Sequence, residues 1–334
     1  VATVPGRIAR LGSIGVRAAL VLSGGSHLDE ARDGKASIRQ RMLDAARQSG
    51  IRVRGPECMG LIVPGRKLNA SYANRPIKAG RVAYLGQSGM LGTAMIDWAA
   101  GRGVGFSHLI TLGDSVDVML PDLLDYINQF SPTQAILLHL EKIMDAQHFM
   151  TALRDASRNR LVLAIKSSRT PQSDLTGLPP TPGVANRDRI FDAAFSRAGV
   201  VRVHDSDELF AALMTLSRMK PLRGDRLAIV SNGLGPAMLA IDKLIHAGGK
   251  LADFTEETRR ALRQGDFDMS KPGENPVDLG GNATPEKFVD AIEIVAADPG
   301  VDAVLVVHAP TRLAPSRTTA EAVVANRKRF RRNL

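Results

Sequence analysis

Short apolar runs separated by longer amphipathic stretches set the pattern of this chain. They are "VRAALVLSGG" (16–25), "IRVRG" (51–55), "RVAYLG" (81–86), "GFSHLITLG" (105–113), "AILLHLE" (135–141), "LVLAIKS" (161–167), "RLAIVSNG" (226–233) and "VDAVLVVHAP" (301–310). Most are too short for helices and are rich in Val, Ile and Leu, as strands buried on both faces of a parallel sheet require. Their alternation with helical stretches predicts an α/β, doubly wound architecture.

A repeat sharpens that expectation. "RVAYLGQSGMLGTAMID" (81–97) and "RLAIVSNGLGPAMLAID" (226–242) align without gaps, matching Arg81 to Arg226, Ala83 to Ala228, and Ile96 and Asp97 to Ile241 and Asp242. Each is followed by a glycine-marked helix end (Gly101, Gly248), an Asp-led segment and a strand, "AILLHLE" or "AVLVVHAP". Two copies of one domain are expected, with boundaries in the polar, glycine-containing stretches "IKAGR" and "PLRGDR". The domains are then 1–78, 79–222 and 223–334. The first copy closes with strand 161–167, whereas the second stops at Leu334 where its equivalent strand is due. The first and last domains are therefore expected to be truncated, with an exposed sheet edge in the last.

The formal charge is +10, yet five of the cations lie in the final eight residues (Arg327, Lys328, Arg329, Arg331 and Arg332). A solvated helix end explains them better than a nucleic-acid surface does, and the 4% aromatic content argues against base stacking. One cysteine, Cys58, excludes an internal disulfide and suits a reducing cytoplasm. No apolar run reaches the ~18 residues a membrane helix needs, so no membrane partner is expected.

Candidate chemistry lies at the strand ends. "LGQSGML" (85–91) sets a glycine-rich turn between a strand and a helix expected over Gly89–Ala100. Its N–H groups, with Gln87, Ser88 and Gly89, could form an anion site at the carboxyl edge of the sheet. Asn232 and Gly233 in "SNGLGPA" offer the same arrangement, and two such helix starts could face one anion; close helix packing is the bland reading of both. Met90 stands where a nucleophile elbow needs glycine, so Ser88 does not fit a serine hydrolase. Gly55, Pro56 and Gly60 in "GPECMG" either approach a ligand or close a tight turn. Glu141 ends a buried strand at the same edge, as a site residue or as a salt-bridging one. Asp114 and Asp117 suit turn roles better than metal ligation, and the seven histidines show no metal-ligand spacing.

Together, "GPECMGLIVPGRKLNASYA", "GRVAYLGQSGMLGTAMIDWAAGRGVGFSHLITLGDSVDV", "AILLHLE", "IFDAAFSRAGVVRVHDSDELFAAL", "SNGLGPAMLAID" and "NPVDL" resemble the ADP-forming acyl-CoA synthetases, the superfamily that includes succinyl-CoA synthetase. The wording "LNASYA", "PIKAGRVAYLGQSG" and "SRNRLVLAIKSSR" is most similar to bacterial protein lysine acetyltransferases that join a synthetase-like region to a Gcn5-related acetyltransferase domain. The resemblance implies tandem flavodoxin-like domains and CoA or acyl-CoA as ligand. It also implies a phosphohistidine on a mobile loop between two helix starts, oriented by a carboxylate that matches Glu141. ATP or ADP with Mg would enter only through an ATP-grasp domain absent from this chain. The loop 166–190 matches the phosphohistidine loop, but Pro180 followed by Thr181 stands at the histidine position. Glu57 replaces the Asn usual in "GPNC". The main expectation is thus a CoA-binding, acyl-CoA-sensing region of an acetyltransferase, inactive alone. The alternative is an ADP-forming acyl-CoA synthetase subunit. Expected partners are acyl-CoA and ATP-grasp or acetyltransferase domains, with homo-oligomerisation left open and no specific nucleic acid.

Overall fold

The computed structural model of the chain describes residues 2–24, 36–129, 132–170, 188–219, 222, 224–265, 267, 274–312 and 314–334. They divide into two units, Val1–Arg218 and Met219–Leu334.

The first unit begins with α1 (Val4–Ser13), β1 (Ala18–Leu20), α2 (Ile38–Ser49) and β2 (Arg52–Arg54). β1 and β2 pair in parallel, and Ile8, Met42, Ala46, Ile51 and Val53 form a small core beside them. A hairpin follows, β3 (Gly60–Val63) and β4 (Leu68–Ser71). The chain continues through β5 (Ala79–Gly86), α3 (Gly89–Ala100), β6 (Phe106–Thr111), α4 (Leu120–Asn128), β7 (Ala135–Leu140) and α5 (Ala146–Asn159). It closes with β8 (Leu161–Lys166), α6 (Asp188–Ala198), β9 (Val201–Val203) and α7 (Ser206–Arg218).

Seven strands form one sheet in the order β4-β3-β6-β5-β7-β8-β9. The five from β6 to β9 are parallel, and their sequence order within that set is 2-1-3-4-5, the flavodoxin-like winding. The alternation of strand side chains accounts for the layers. Ala83 and Leu85 of β5 face Leu124 and Ile127 of α4, Phe149 and Leu153 of α5, and Phe195 of α6. Val82 and Tyr84 face the other way, into Met95, Ile96 and Ala99 of α3 and Leu209 and Leu213 of α7. The boundary expected near residue 78 does not separate the sheets, because β3 pairs antiparallel with β6. Residues 60–71 were assigned from sequence to the first domain, and their backbone bonds carry them into the next domain's sheet.

The second unit comprises β10 (Arg226–Ser231), α8 (Leu234–His246), β11 (Lys250–Leu251), α9 (Glu256–Gln264), β12 (Val277–Asp278), α10 (Pro285–Ala297), β13 (Ala303–Val307) and α11 (Ser316–Ala325). β10 lies between β11 and β13 and all pairings are parallel, which repeats the 2-1-3 start of the first sheet. β12 extends the β11 side. Among the described residues, the outer edge of β13 is met only by Asn333, whose carbonyl accepts from Val304. Leu305 on β13 is exposed. No helix among the described residues is long and apolar enough to cross a membrane.

Candidate functional site

In an open parallel sheet the chain leaves β5 toward one face and reaches β7 from the other, so a crevice opens at their carboxyl ends. Here those ends are Gly86 and Leu140, and the residues just beyond them line a cleft of about 500 Å³. Leu22, Gly24, Glu57, Tyr72, Gln87 to Met90, Gly113, Asp114, Glu141 and Lys142 line it.

The expected helix starts at Gly89. Ser88 caps it, its hydroxyl accepting from the N–H of Leu91 at 3.2 Å. The N–H groups of Gly89 and Met90 have no acceptor among the described residues and carry the positive end of the helix dipole. The Ser88 N–H points instead at Nδ1 of His139 (3.4 Å). The Ser167 hydroxyl donates to the carbonyl of Leu140, so Nε2–H of His139 donates to Ser167 Oγ at 3.0 Å and the ring is neutral. Burial, helped by the Lys166 ammonium, lowers the His139 pKa to about 4.

Gln87, expected at the anion site, uses its side chain to hold the turn after β7. Its Oε1 accepts from the N–H groups of Glu141 (2.5 Å) and Lys142 (2.9 Å), and its Nε2 donates to the Lys142 carbonyl (2.7 Å). Three hydrogen bonds of the carboxamide pin that turn, which leaves the Glu141 and Lys142 side chains to the cleft. Burial raises the Glu141 carboxyl above its ordinary value, while Lys142 and Lys166 draw it back. Asp114 accepts from Lys142 Nζ at 2.8 Å and pairs with Arg39 of α2. Burial works to raise its carboxyl, but those cations outweigh it and hold Asp114 below the usual range. Asp117 accepts from Arg52 and from the N–H of Val53, a structural role. Among the described residues, no group of three or more His, Cys, Asp or Glu is arranged to hold a metal.

The "GPECMG" turn reaches the cleft through Glu57. Gly55 has φ +93° and lies against the carbonyl of Val21, and Gly60 has φ +128° and lies against the backbone of β4, so both are set by close backbone approach. The Pro56 carbonyl accepts from the N–H of Asp114, and a Cβ on Gly113 would lie 2.0 Å from that carbonyl oxygen. The turn is thereby fastened beside α3, where a Cβ on Gly89 would meet the Met59 N at 3.2 Å and the Tyr72 hydroxyl at 3.1 Å. Glu57 has φ +64°, the left-handed region that Asn adopts more readily than Glu. Sequence reasoning missed Tyr72 and Lys142 as cleft residues.

In the second unit the Asn232 side chain donates to the Ala309 carbonyl and accepts from the Ala309 N–H, both at 2.8 Å. Gly233 precedes α8 in an extended conformation, with its N–H on Ser231 Oγ at 3.2 Å. Pro180, expected at the phosphohistidine position, lies outside the described residues.

Residues 79–216 match the succinyl-CoA ligase like flavodoxin domain. The chain is 30% identical over 325 residues to acetate–CoA ligase [ADP-forming] I of Archaeoglobus fulgidus, covering 96% of this chain and 46% of that protein. To the alpha subunit of acetate–CoA ligase [ADP-forming] I of Pyrococcus furiosus it is 29% identical over 322 residues, covering 96% and 69%. A solved structure of dinucleotide forming acetyl-coenzyme A synthetase 1 from Ca. Korarchaeum cryptofilum superposes with a TM-score of 0.87 at 24% identity, over 98% of this chain and 70% of that one, and shows the shared fold. The chain thus spans about half of the Archaeoglobus relative. The domain match and the ligase relatives support the superfamily of ADP-forming acyl-CoA synthetases. These relatives are ligases, and the acetyltransferase connection rests on sequence wording alone.

Proposed function

We propose that this chain is the CoA- and phosphate-handling part of an ADP-forming acyl-CoA ligase, working with an ATP-grasp partner in the overall reaction acyl-CoA + ADP + phosphate to acid + ATP + CoA. The observation that carries this reading is the switch-point cleft, which gathers the α3 start, Glu141 and the residue 57 turn in one place. In the half-reaction assigned to the cleft, a phosphate oxygen attacks the thioester carbonyl. The C–S bond breaks, CoA leaves as thiolate and takes the proton from phosphate, and acyl phosphate remains. The α3 N–H groups suit the charge on the phosphate oxygens. Calorimetry of the 334-residue chain with acetyl-CoA and with CoA is expected to show saturable binding of both, and absence of heat for either would remove the reading.

A second reading has one observation in its favour. Residues 166–190 contain no histidine, which leaves that loop without a phosphoryl carrier. On this reading the region senses acyl-CoA on behalf of an attached acetyltransferase. Incubation with ATP, Mg and an ATP-grasp partner separates the two, because an acid-labile phosphoprotein supports the ligase and is not expected of a sensor.

A further inference from the structure

We propose that Lys142 is an anion-binding residue of the first unit's cleft, placed over the α3 start by Gln87 acting as its positioning residue. The inference rests on the proposed function for the identity of the anion, a reacting phosphate or acyl phosphate.

The argument begins with charge. Asp114 and Glu141 both line the cleft, a poor setting for a phosphate unless a cation offsets them. Arg39 pairs with Asp114 from outside the lining, and its Nη1 also donates to the Asp114 carbonyl at 2.8 Å. Asp114 therefore has a counter-ion before Lys142 is considered. The Lys142 ammonium, 2.8 Å from the other Asp114 oxygen and with a side chain 40% exposed, brings a positive charge beyond what Asp114 requires. Among the described residues that line the cleft, it is the one cationic side chain.

Position is the second element. A surface lysine on a free loop loses much conformational entropy when it binds an anion, and that cost falls when its backbone is already fixed. Gln87 fixes this one through three hydrogen bonds, and Gln87 is itself only 8% exposed. Gln87 immediately precedes Ser88, the cap of α3, so the turn that carries Lys142 is tied to the chain entering that helix start.

The repeat supplies an internal control. In strand register Gly86 lies opposite His139 and Ser231 opposite Val307, so Glu141 and Lys142 correspond to Ala309 and Pro310. Asn232 clamps that turn as Gln87 does, yet the clamped residues carry no charge. The clamp alone is a feature of the fold. The lysine presented by it belongs to the first copy.

The test is titration of the full 334-residue chain with inorganic phosphate, followed by 31P NMR, and with CoA, followed by calorimetry. Lys142→Gln is expected to weaken phosphate about tenfold, the loss of one charge-assisted contact, while CoA affinity stays within twofold. Lys142→Arg is expected to restore most of the phosphate affinity. Gln87→Asn, too short to span the turn, is expected to weaken phosphate in protein that remains folded by circular dichroism; a purely structural Gln87 would lower the melting temperature and leave phosphate affinity unchanged. Unaltered phosphate binding in Lys142→Gln, equal losses for phosphate and CoA, or no phosphate binding by the parent chain would each overturn the inference. Lys142-dependent phosphate binding without any CoA binding would uphold it and overturn the proposed function instead.

Discussion

The two copies of the repeat keep the same device and put it to different use. In each, a carboxamide just after the first strand, Gln87 or Asn232, reaches across the switch point and pins the chain leaving the third strand of the winding. A parallel sheet needs such a fastening there, because its ladder ends while the backbone N–H and C=O groups beyond it still require partners. In the first copy the pinned residues are Glu141 and Lys142, and in the second Ala309 and Pro310. The geometry is common to both copies, and in the first the pinned residues carry charge and line the cleft.

The largest way to break the comparison is Gln87→Ala. It leaves two N–H groups and one carbonyl of the 141–142 turn without their partner and opens a void beside β5. A loss of about 3 kcal/mol is expected for the first unit. Urea unfolding combined with hydrogen exchange should locate the loss in β5 and β7 and spare β10 and β13. Phosphate binding should fall with it, since the turn that carries Lys142 is released.

An effect of similar size comes from acid. His139 in the first copy occupies the register position of Val307 in the second. Its pKa falls from 6.5 in the unfolded chain to about 4 in the fold, through burial and the Lys166 charge, so between those values the unfolded state holds more protons. Stability from this residue is therefore complete above pH 6.5 and is lost as pH falls toward 4. The limiting loss is about 3 kcal/mol, at 1.36 kcal/mol for each pKa unit. Val307 adds no such dependence to the second copy. His139→Gln should flatten the stability profile of the first unit between pH 6.5 and 4, and an unchanged slope in that variant would assign the acid sensitivity elsewhere.

Much of the frame was legible in the residues. The glycine turn at 86–89 and the apolar run after it placed α3 at Gly89–Ala100, its observed limits, because the cap and the helix end are local signals. Strands β1, β2, β5 to β8, β10 and β13 were legible as short apolar runs, whereas β3, β4, β9 and β12 fall in no such run. The pairing of the hairpin 60–71 with β6 was not legible, since β6 lies some 50 residues away and nothing local announces it. The clamp was hidden likewise: Gln87 meets residues 141 and 142 only after the sheet forms. One signal could have exposed it, the alignment of two carboxamides, Gln87 and Asn232, in turns that otherwise differ. Lys142 escaped notice because an isolated lysine after a strand has no pattern of its own, and its importance comes from the residue that holds it.

The smallest and most discriminating change is Asn232→Ala. Two hydrogen bonds to Ala309 are lost from a residue only 3% exposed, and about 2 kcal/mol of stability should go from the second unit. Protection from exchange should drop along β10 and β13 while β5 and β7 hold theirs. Phosphate affinity should stay within twofold of the parent chain, because the turn held by Asn232 presents no charged side chain. The two alanine variants then form a matched pair, alike in removing a buried amide clamp and opposite in their effect on the ligand. Equal weakening of phosphate by both would mean that the second copy's helix start also contributes to anion binding, and the division of labour inferred from Glu141 and Lys142 would have to be given up.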